Sequence, residues 1–447
     1  MESHKKGLRR INTVQFITLM FLIIIFIGSF LLFLPISHQT GKQLTYIDAL
    51  FVATSSVCVT GLTPINISQV LSPFGHIVMM ILIEIGGLGF MSIALIVAMM
   101  FRKRVSLQSR LVIKEMLNLN NHGGVVKLLK FVVKFSVSVQ LLGVILLGFQ
   151  FIPEYGVKRG IFYSIFHAVS AFCNAGFDLF GDSLLGYQQN PYVLLVISGL
   201  IISGGFGFIV WYDLIHWQDH RRFSLHTKIA LMVTLSLLIG GTVLFSITDR
   251  FYEMSFVKQL TNSFFLSVTP RTAGFASIDY GSMSYAGLIL TIVLMFIGGT
   301  SGSTAGGIKT TTLGVLLIQL VSTLKGRDEA EWQERSIPRN IVMKSFVLFF
   351  FASLLCLLSA LVLSMTEYSP QHSGIEYVLF EVVSAFATVG LTMGLTPHLT
   401  LFGKLLIMCL MFIGRVGLYT VMYALLRKEL NELGNKFNYP KETVLIG

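Results

Sequence analysis

Four stretches of this chain place the same residue types around one glycine. They read Phe51-Val-Ala-Thr-Ser-Ser-Val-Cys-Val-Thr-Gly61-Leu62, Phe166-His-Ala-Val-Ser-Ala-Phe-Cys-Asn-Ala-Gly176-Phe177, Phe264-Phe-Leu-Ser-Val-Thr-Pro-Arg-Thr-Ala-Gly274-Phe275 and Phe380-Glu-Val-Val-Ser-Ala-Phe-Ala-Thr-Val-Gly390-Leu391. A phenylalanine stands ten residues before each glycine, and a large apolar residue follows it. Three of the four also have serine six residues before the glycine: Ser55, Ser170 and Ser384. Glycine reaches backbone angles closed to other residues, so such a loop can turn its carbonyl oxygens toward a ligand. Four loops meeting at one point would offer a cage of neutral oxygens, which can replace the hydration shell of a monovalent cation. The candidate lining residues are Val59, Thr60 and Gly61; Asn174, Ala175 and Gly176; Thr272, Ala273 and Gly274; and Thr388, Val389 and Gly390.

Further candidates lie downstream. The stretch Gly298, Gly299, Thr300, Ser301, Gly302, Ser303, Thr304, Ala305, Gly306, Gly307, Ile308, Lys309, Thr310 interrupts an apolar run with small and polar residues. Such a segment cannot form a lipid-facing helix, so it must line a cavity. Its place below the loops suggests a gate. A nucleotide-binding reading fails, because Ile308 separates the glycines from Lys309 and no strand precedes them. Arg415 and Glu84 are charges at membrane depth, which are functional by default. Arg415 is expected to face the cavity, pair with an acid or a carbonyl and raise the barrier to ion passage, and whether Glu84 is that acid is open. Arg271, three residues before Gly274, is expected either to position its loop or to sit at the outer mouth. His167 has no visible partner and is read as structural. Cys58, Cys173, Cys356 and Cys409 show no disulfide or zinc spacing.

The elements that must position these residues follow from composition. The chain has 447 residues, 54% hydrophobic and 12% charged, against about 25% charged in soluble domains. Mean hydropathy is +0.76. The solvent for most of the chain is therefore lipid. Eight apolar runs approach the length of a membrane span: they begin near Ile11, Phe74, Phe135, Pro191, Ile229, Tyr285, Ser345 and Leu405. Between them the segments near Thr45–Val57, Arg159–Phe172, Phe256–Val268 and Gly374–Phe386 are too short to span and fit re-entrant half-helices. The glycines are 115, 98 and 116 residues apart. The expected fold is thus an all-α integral membrane protein. Four membrane–pore-loop–membrane repeats, eight transmembrane helices plus four half-helices, surround one pore. Repeat 1 covers 1–105 (loop 58–63), repeat 2 106–222 (loop 173–178), repeat 3 223–335 (loop 271–276, gating loop 298–312) and repeat 4 336–430 (loop 387–392); 431–447 forms a cytoplasmic tail. A second motif recurs in the helix after each loop: Gly86-Gly87-Leu-Gly89, Gly204-Gly205-Phe-Gly207, Gly298-Gly299 and Gly414-Arg415-Val-Gly417. These are read as close-packing positions.

The net charge of +11 is distributed. Lys5–Arg10, Arg102–Lys114, Arg221–Lys228, Lys325–Lys344 and Arg427–Lys441 place basic residues on every second connection, which is the positive-inside pattern. Both termini are expected in the cytoplasm. Nucleic-acid binding is excluded as the purpose of the charge, and the expected contact is membrane lipid. With glycine at all four loop centres, a large, weakly hydrated ion is favoured, K+ before Na+. A Na+-selective or nonselective channel of the same architecture is the alternative. A membrane-embedded enzyme would need clustered intramembrane acids, histidines or serines, which are missing.

With these residues in place, the chain resembles the Trk/Ktr/HKT superfamily of K+ transporters over about residues 10–430. The segments Thr269-Pro-Arg-Thr-Ala-Gly-Phe275 and Thr388-Val-Gly-Leu-Thr-Met-Gly-Leu-Thr-Pro397 carry the resemblance most specifically. It is most similar to the bacterial Ktr membrane subunit. The resemblance implies K+ uptake, often dependent on Na+, with no cofactor in the chain itself. It also implies a homodimer in the bacterial cell membrane, one pore per protomer, on a separate cytosolic ring of nucleotide-binding regulatory subunits. The tail Asn438–Gly447 would then lie at the dimer interface.

Overall fold

The structure is a computed structural model that describes residues 13–89, 125–217, 222–249, 254–368 and 374–417. The basic segments Lys5–Arg10, Arg102–Lys114 and Arg427–Lys441, and the tail 431–447, lie outside the described residues. Among the described residues, four helices are long and apolar enough to cross a membrane, over Gln15–Phe33, Val126–Tyr155, Leu225–Thr248 and Arg339–Thr366. They belong to α1 (Thr13–Phe33), α5 (Val125–Tyr155), α9 (Leu225–Thr248) and α13 (Arg339–Thr366). Each precedes a shorter helix: α2 (Tyr46–Cys58), α6 (Val157–Cys173), α10 (Phe256–Val268) and α14 (Ile375–Phe386). One turn, α3 (Ile67–Val70), follows the first loop.

A third set returns from the loops: α4 (Pro73–Leu88), α7 (Pro191–Gly205) with α8 (Phe208–Ile215), α11 (Tyr285–Phe296) with α12 (Thr310–Leu324), and α15 (Leu401–Val416). Their starts are written locally. Ser72, Asn190, Ser284 and Thr400 each accept a first-turn backbone N–H, which satisfies donors that have no partner within the helix. Two outer acids serve the same starts. Asp249 Oδ1 accepts from Ser284 N at 2.9 Å, and Glu367 Oε2 from Thr400 N at 2.8 Å.

Among the returning helices the sequence pattern leads one to expect a break in the third alone. The break expected at Gly298 is there, but α7 and α8 also meet at 96°. The cause is the repeated glycine motif. Gly89, Gly207 and Gly417 have φ of +78°, +92° and +98°, and stop the helix where they stand. The motif's first glycine has a separate reason. A Cβ at Gly86, Gly204 or Gly414 would run into the carbonyl oxygen of Val57, Phe172 or Phe386 respectively, at the end of a short helix. Gly204→Ala should therefore destabilise the protein by about 1–3 kcal/mol, because the obstacle is backbone. Thermal unfolding of the detergent-solubilised variant would show it; an unchanged midpoint would contradict this contact.

A two-stranded hairpin, β1 (Ala330–Trp332) and β2 (Arg335–Ile337), joins α12 to α13. It packs Ala330 and Ile337 against Ile229 and Val233 of α9.

Candidate functional site

The four short helices end next to the four glycines, with their partly negative C-termini directed at one place. Each loop then follows one backbone plan. The residue two before the glycine is left-handed, with φ +58° at Val59, +62° at Asn174, +74° at Thr272 and +52° at Thr388. The glycine is positive again, at +99°, +67°, +80° and +97°. Asparagine tolerates this region, whereas β-branched Val59, Thr272 and Thr388 are outliers in it. Strain of this kind concentrates at functional sites.

Hydroxyl groups fasten the loops from behind. Gly61 N donates to Ser55 Oγ and Gly390 N to Ser384 Oγ, both at 3.1 Å. Ser170 Oγ donates to Phe177 O at 2.8 Å, and Thr269 Oγ1 to Phe275 O at 2.6 Å. The sequence pattern showed the serines as a repeat signal without a role, and it missed Thr269. The third segment is one residue shorter between its buried phenylalanine and the glycine, so Thr269 occupies the serine's place five residues before Gly274. The same shift corrects the phenylalanine anchor. Phe51, Phe166 and Phe380 are fully buried, but Phe264 is only half-buried and Phe265 takes the equivalent position.

The loops close into a ring. A Cβ on Gly61 would lie 2.5 Å from Ala175 O and 3.3 Å from Gly176 Cα. Gly176 stands likewise against Ala273 O (2.7 Å) and Gly274, Gly274 against Val389 O and Gly390, and Gly390 against Thr60 O and Gly61. The order around the ring is the order along the chain. Of the twelve lining candidates, Gly61, Gly176 and Gly390 are half-buried and the other nine are buried. The buried hydroxyls of Thr60 and Thr388 have no protein partner. Above the ring lies a cavity of about 310 Å³ lined by Gly61, Gly176, Asp178 and Thr392, among others.

Beneath the ring, residues 298–309 form a compact loop. Gly298 N donates to Ile308 O at 2.8 Å, and Ile308 N to Phe296 O at 3.3 Å. Ser303 Oγ donates to Thr300 O at 2.6 Å, and Lys309 Nζ to Ala305 O at 2.6 Å. The loop also fills the break between α7 and α8: Thr300 N and Thr304 N donate to Gly205 O and Gly204 O, and Phe208 N to Gly302 O. Gly306 faces the Thr388 hydroxyl of the fourth loop. Ser301 bonds Thr311, Gly299 packs against Ala305 and the carbonyl of Gly205, and Gly307 packs against Ala387 of the fourth loop and against Gly298.

Arg415 crosses to this loop from α15. Its guanidinium donates to Thr304 O, to Gly86 O and, at 3.1 Å, to Gly87 O. Three carbonyls from two other parts of the chain thus hold one arginine. Glu84 does not pair with it. Instead Glu84 accepts from Gln140 Nε2 at 2.9 Å and from Cys173 Sγ at 3.3 Å. Arg271 is not at an outer mouth. It is buried, donates to Thr234 Oγ1 at 3.4 Å, and lines a small cavity with Gly205 and Gly299. His167 bonds Tyr163 O at 2.7 Å, accepts from Leu179 N at 3.4 Å and stacks on Phe180.

A helical scaffold that brings four glycine loops into a ring invites comparison with known transport proteins. The family model described as "TrkH: Cation transport protein" matches residues 2–432. The chain belongs to this family of cation transport proteins. It is accordingly a multi-pass membrane transport protein and not an enzyme. The TrkH-family chain is 52% identical to the potassium/sodium uptake protein NtpJ of Enterococcus hirae, over 99% of both chains. It is 40% identical to the Ktr system potassium uptake protein B of Bacillus subtilis, over 98% of this chain and 97% of that one. The solved potassium transporter TrkH of Vibrio parahaemolyticus superposes with a TM-score of 0.74 at 18% identity, covering 95% of this chain and 86% of that one, a likeness of fold. What this TrkH-family chain adds is its own wiring: which hydroxyl holds which loop, and which carbonyls hold Arg415.

Proposed function

We propose that the chain takes up K+ through one pore, selected by backbone carbonyls of the four glycine-centred loops. The observation that carries this reading is the closed ring Gly61–Gly176–Gly274–Gly390, in which every glycine abuts the carbonyl of the next loop. No side chain fits at those contacts, so oxygens rather than side-chain bulk define the opening. The unpartnered hydroxyls of Thr60 and Thr388 add oxygens beside it. Asp178, over the ring, favours cations in the cavity above. The loop 298–309 with Lys309 and Arg415 forms the gate, since two cations at membrane depth oppose a third.

In this reading the fold is four membrane–pore-loop–membrane repeats with both termini in the cytoplasm of a bacterial cell. The membrane-embedded chain works as a homodimer with a separate cytosolic nucleotide-binding regulatory ring, as its likeness to Ktr proteins suggests. The name of the Enterococcus hirae relative includes sodium, so Na+ enters here either as a coupled or as a transported ion. Expression in a bacterial strain that lacks K+ uptake tests the reading. Growth at low K+ should be restored, and comparing uptake with and without Na+ separates coupling from competition. Absence of rescue by protein that reaches the membrane would overturn it.

A further inference from the structure

The ring is fastened on its outer side unevenly. Loop 1 is tied to the segment after loop 2 by Asn66 Nδ2 donating to Gly181 O at 3.2 Å. Loop 3 is tied to the same segment twice: Ala276 N donates to Ser183 Oγ, and Leu184 N to Ala276 O, both at 2.9 Å. Three outgoing strands therefore brace one another. Among the described residues, no hydrogen bond joins residues 391–398, the strand leaving loop 4, to another loop.

That strand is held instead by one side chain from behind. Glu381, in α14, is completely buried. Its Oε2 accepts from Thr392 Oγ1 at 2.7 Å, and its Oε1 from Thr396 Oγ1. Thr392 Oγ1 in turn accepts from Gly394 N at 2.9 Å. The ion pairs among the described residues are Arg327–Glu331 and Lys404–Asp48, so the partners of Glu381 are hydroxyls and not a cation. Burying a carboxyl in apolar surroundings is costly. A residue that only filled the space would do so more stably as Leu or Met. Ser384, one turn further along the same helix, holds Gly390 N. Helix α14 thus grips loop 4 both at the glycine and beyond it, and Thr392 lines the cavity above the ring.

We propose that Glu381 is a positioning residue that sets the ion preference of the ring by fixing the outgoing strand of the fourth loop. A ring kept at one spacing cannot contract around a smaller ion. Loops 1, 2 and 3 gain that stiffness from each other, whereas loop 4 gains it from Glu381 through Thr392 and Thr396. This inference rests on the ring being the selective element, and the test keeps the two apart.

The test measures K+ uptake and its competition by Na+ in an uptake-deficient strain, for the full-length Glu381→Gln, Glu381→Ala and Thr392→Val variants, with Gly61→Ser beside them. Protein in the membrane is quantified for each. Glu381→Ala should lower the K+ over Na+ preference by about tenfold, since two hydrogen bonds to a buried carboxyl are lost. Glu381→Gln, which keeps one good acceptor, should fall between it and the parent, as should Thr392→Val. If Glu381→Ala does not accumulate, Glu381→Gln and Thr392→Val decide the matter. A loss of K+ uptake with unchanged competition by Na+ would mean that Glu381 only supports folding, and would overturn the proposal. Unchanged preference in the Glu381 variants alongside a changed one in Gly61→Ser would overturn it too. An unchanged Gly61→Ser would instead refute the ring.

Discussion

Gly61→Ser is expected to reduce the preference for K+ over Na+ by about tenfold or more, which corresponds to about 1.4 kcal/mol. Three effects act together at this position. Gly61 sits at φ +99°, where a residue with a side chain is strained whatever space surrounds it. Relief of that strain rotates the adjoining peptide and moves its carbonyl. The new Cβ would lie 2.5 Å from Ala175 O, so loop 2 must shift as well. Finally, the added hydroxyl supplies a compact oxygen on a mobile side chain, which suits the smaller ion. Competition of Na+ with K+ uptake in a deficient strain is the measurement. An unchanged ratio, with normal amounts of protein in the membrane, would count decisively against Gly61 as a lining residue.

The second large effect is expected at Arg415. Arg415→Ala should raise K+ flux by about tenfold. Its three bonds reach Thr304 O, Gly86 O and Gly87 O, and hydrogen bonds to a charged group contribute about 1.5–3 kcal/mol each. Their loss frees the 298–309 loop from α4 and removes a positive charge below the ring. Arg415→Lys should give an intermediate flux, because one ammonium cannot reproduce the planar fork of the guanidinium. Uptake measured per molecule of membrane protein would separate the three forms. A fall to zero in a well-expressed Arg415→Ala would argue that the arginine supports the path rather than closing it. Deleting residues 300–306 is a blunter version of the same test. It would also remove the bonds that Thr300 N and Gly302 O make across the α7–α8 break, so the point substitution is the cleaner one.

Much of this arrangement was legible in the residues. The apolar runs, the four glycine-centred segments and the interruption at Gly298 are local patterns, and local patterns survive in one dimension. The short helices fall close to where the segments suggested, because the glycine loops that follow mark their ends. The returning helices were read less well. Gly89, Gly207 and Gly417 recur at a fixed step, yet glycine within an apolar run packs as often as it breaks, and only the observed positive φ separates the two. Thr269 and Phe265 escaped because alignment on the glycine assumes equal spacing, and the third segment is one residue short.

Sequence by itself determined that the chain is a membrane protein with four alike loops, and that glycine stands at the centre of each. Tertiary structure decided how the loops are used. Ring order and the partners of Arg415 depend on contacts between residues far apart in the chain, 329 positions for Arg415 and Gly86, and the isolation of loop 4 on Glu381 shows only against the bonds that join the other loops. The physical reason lies in what a glycine can specify. It permits a backbone angle and a close approach, but which carbonyl approaches is settled only when four helices pack together.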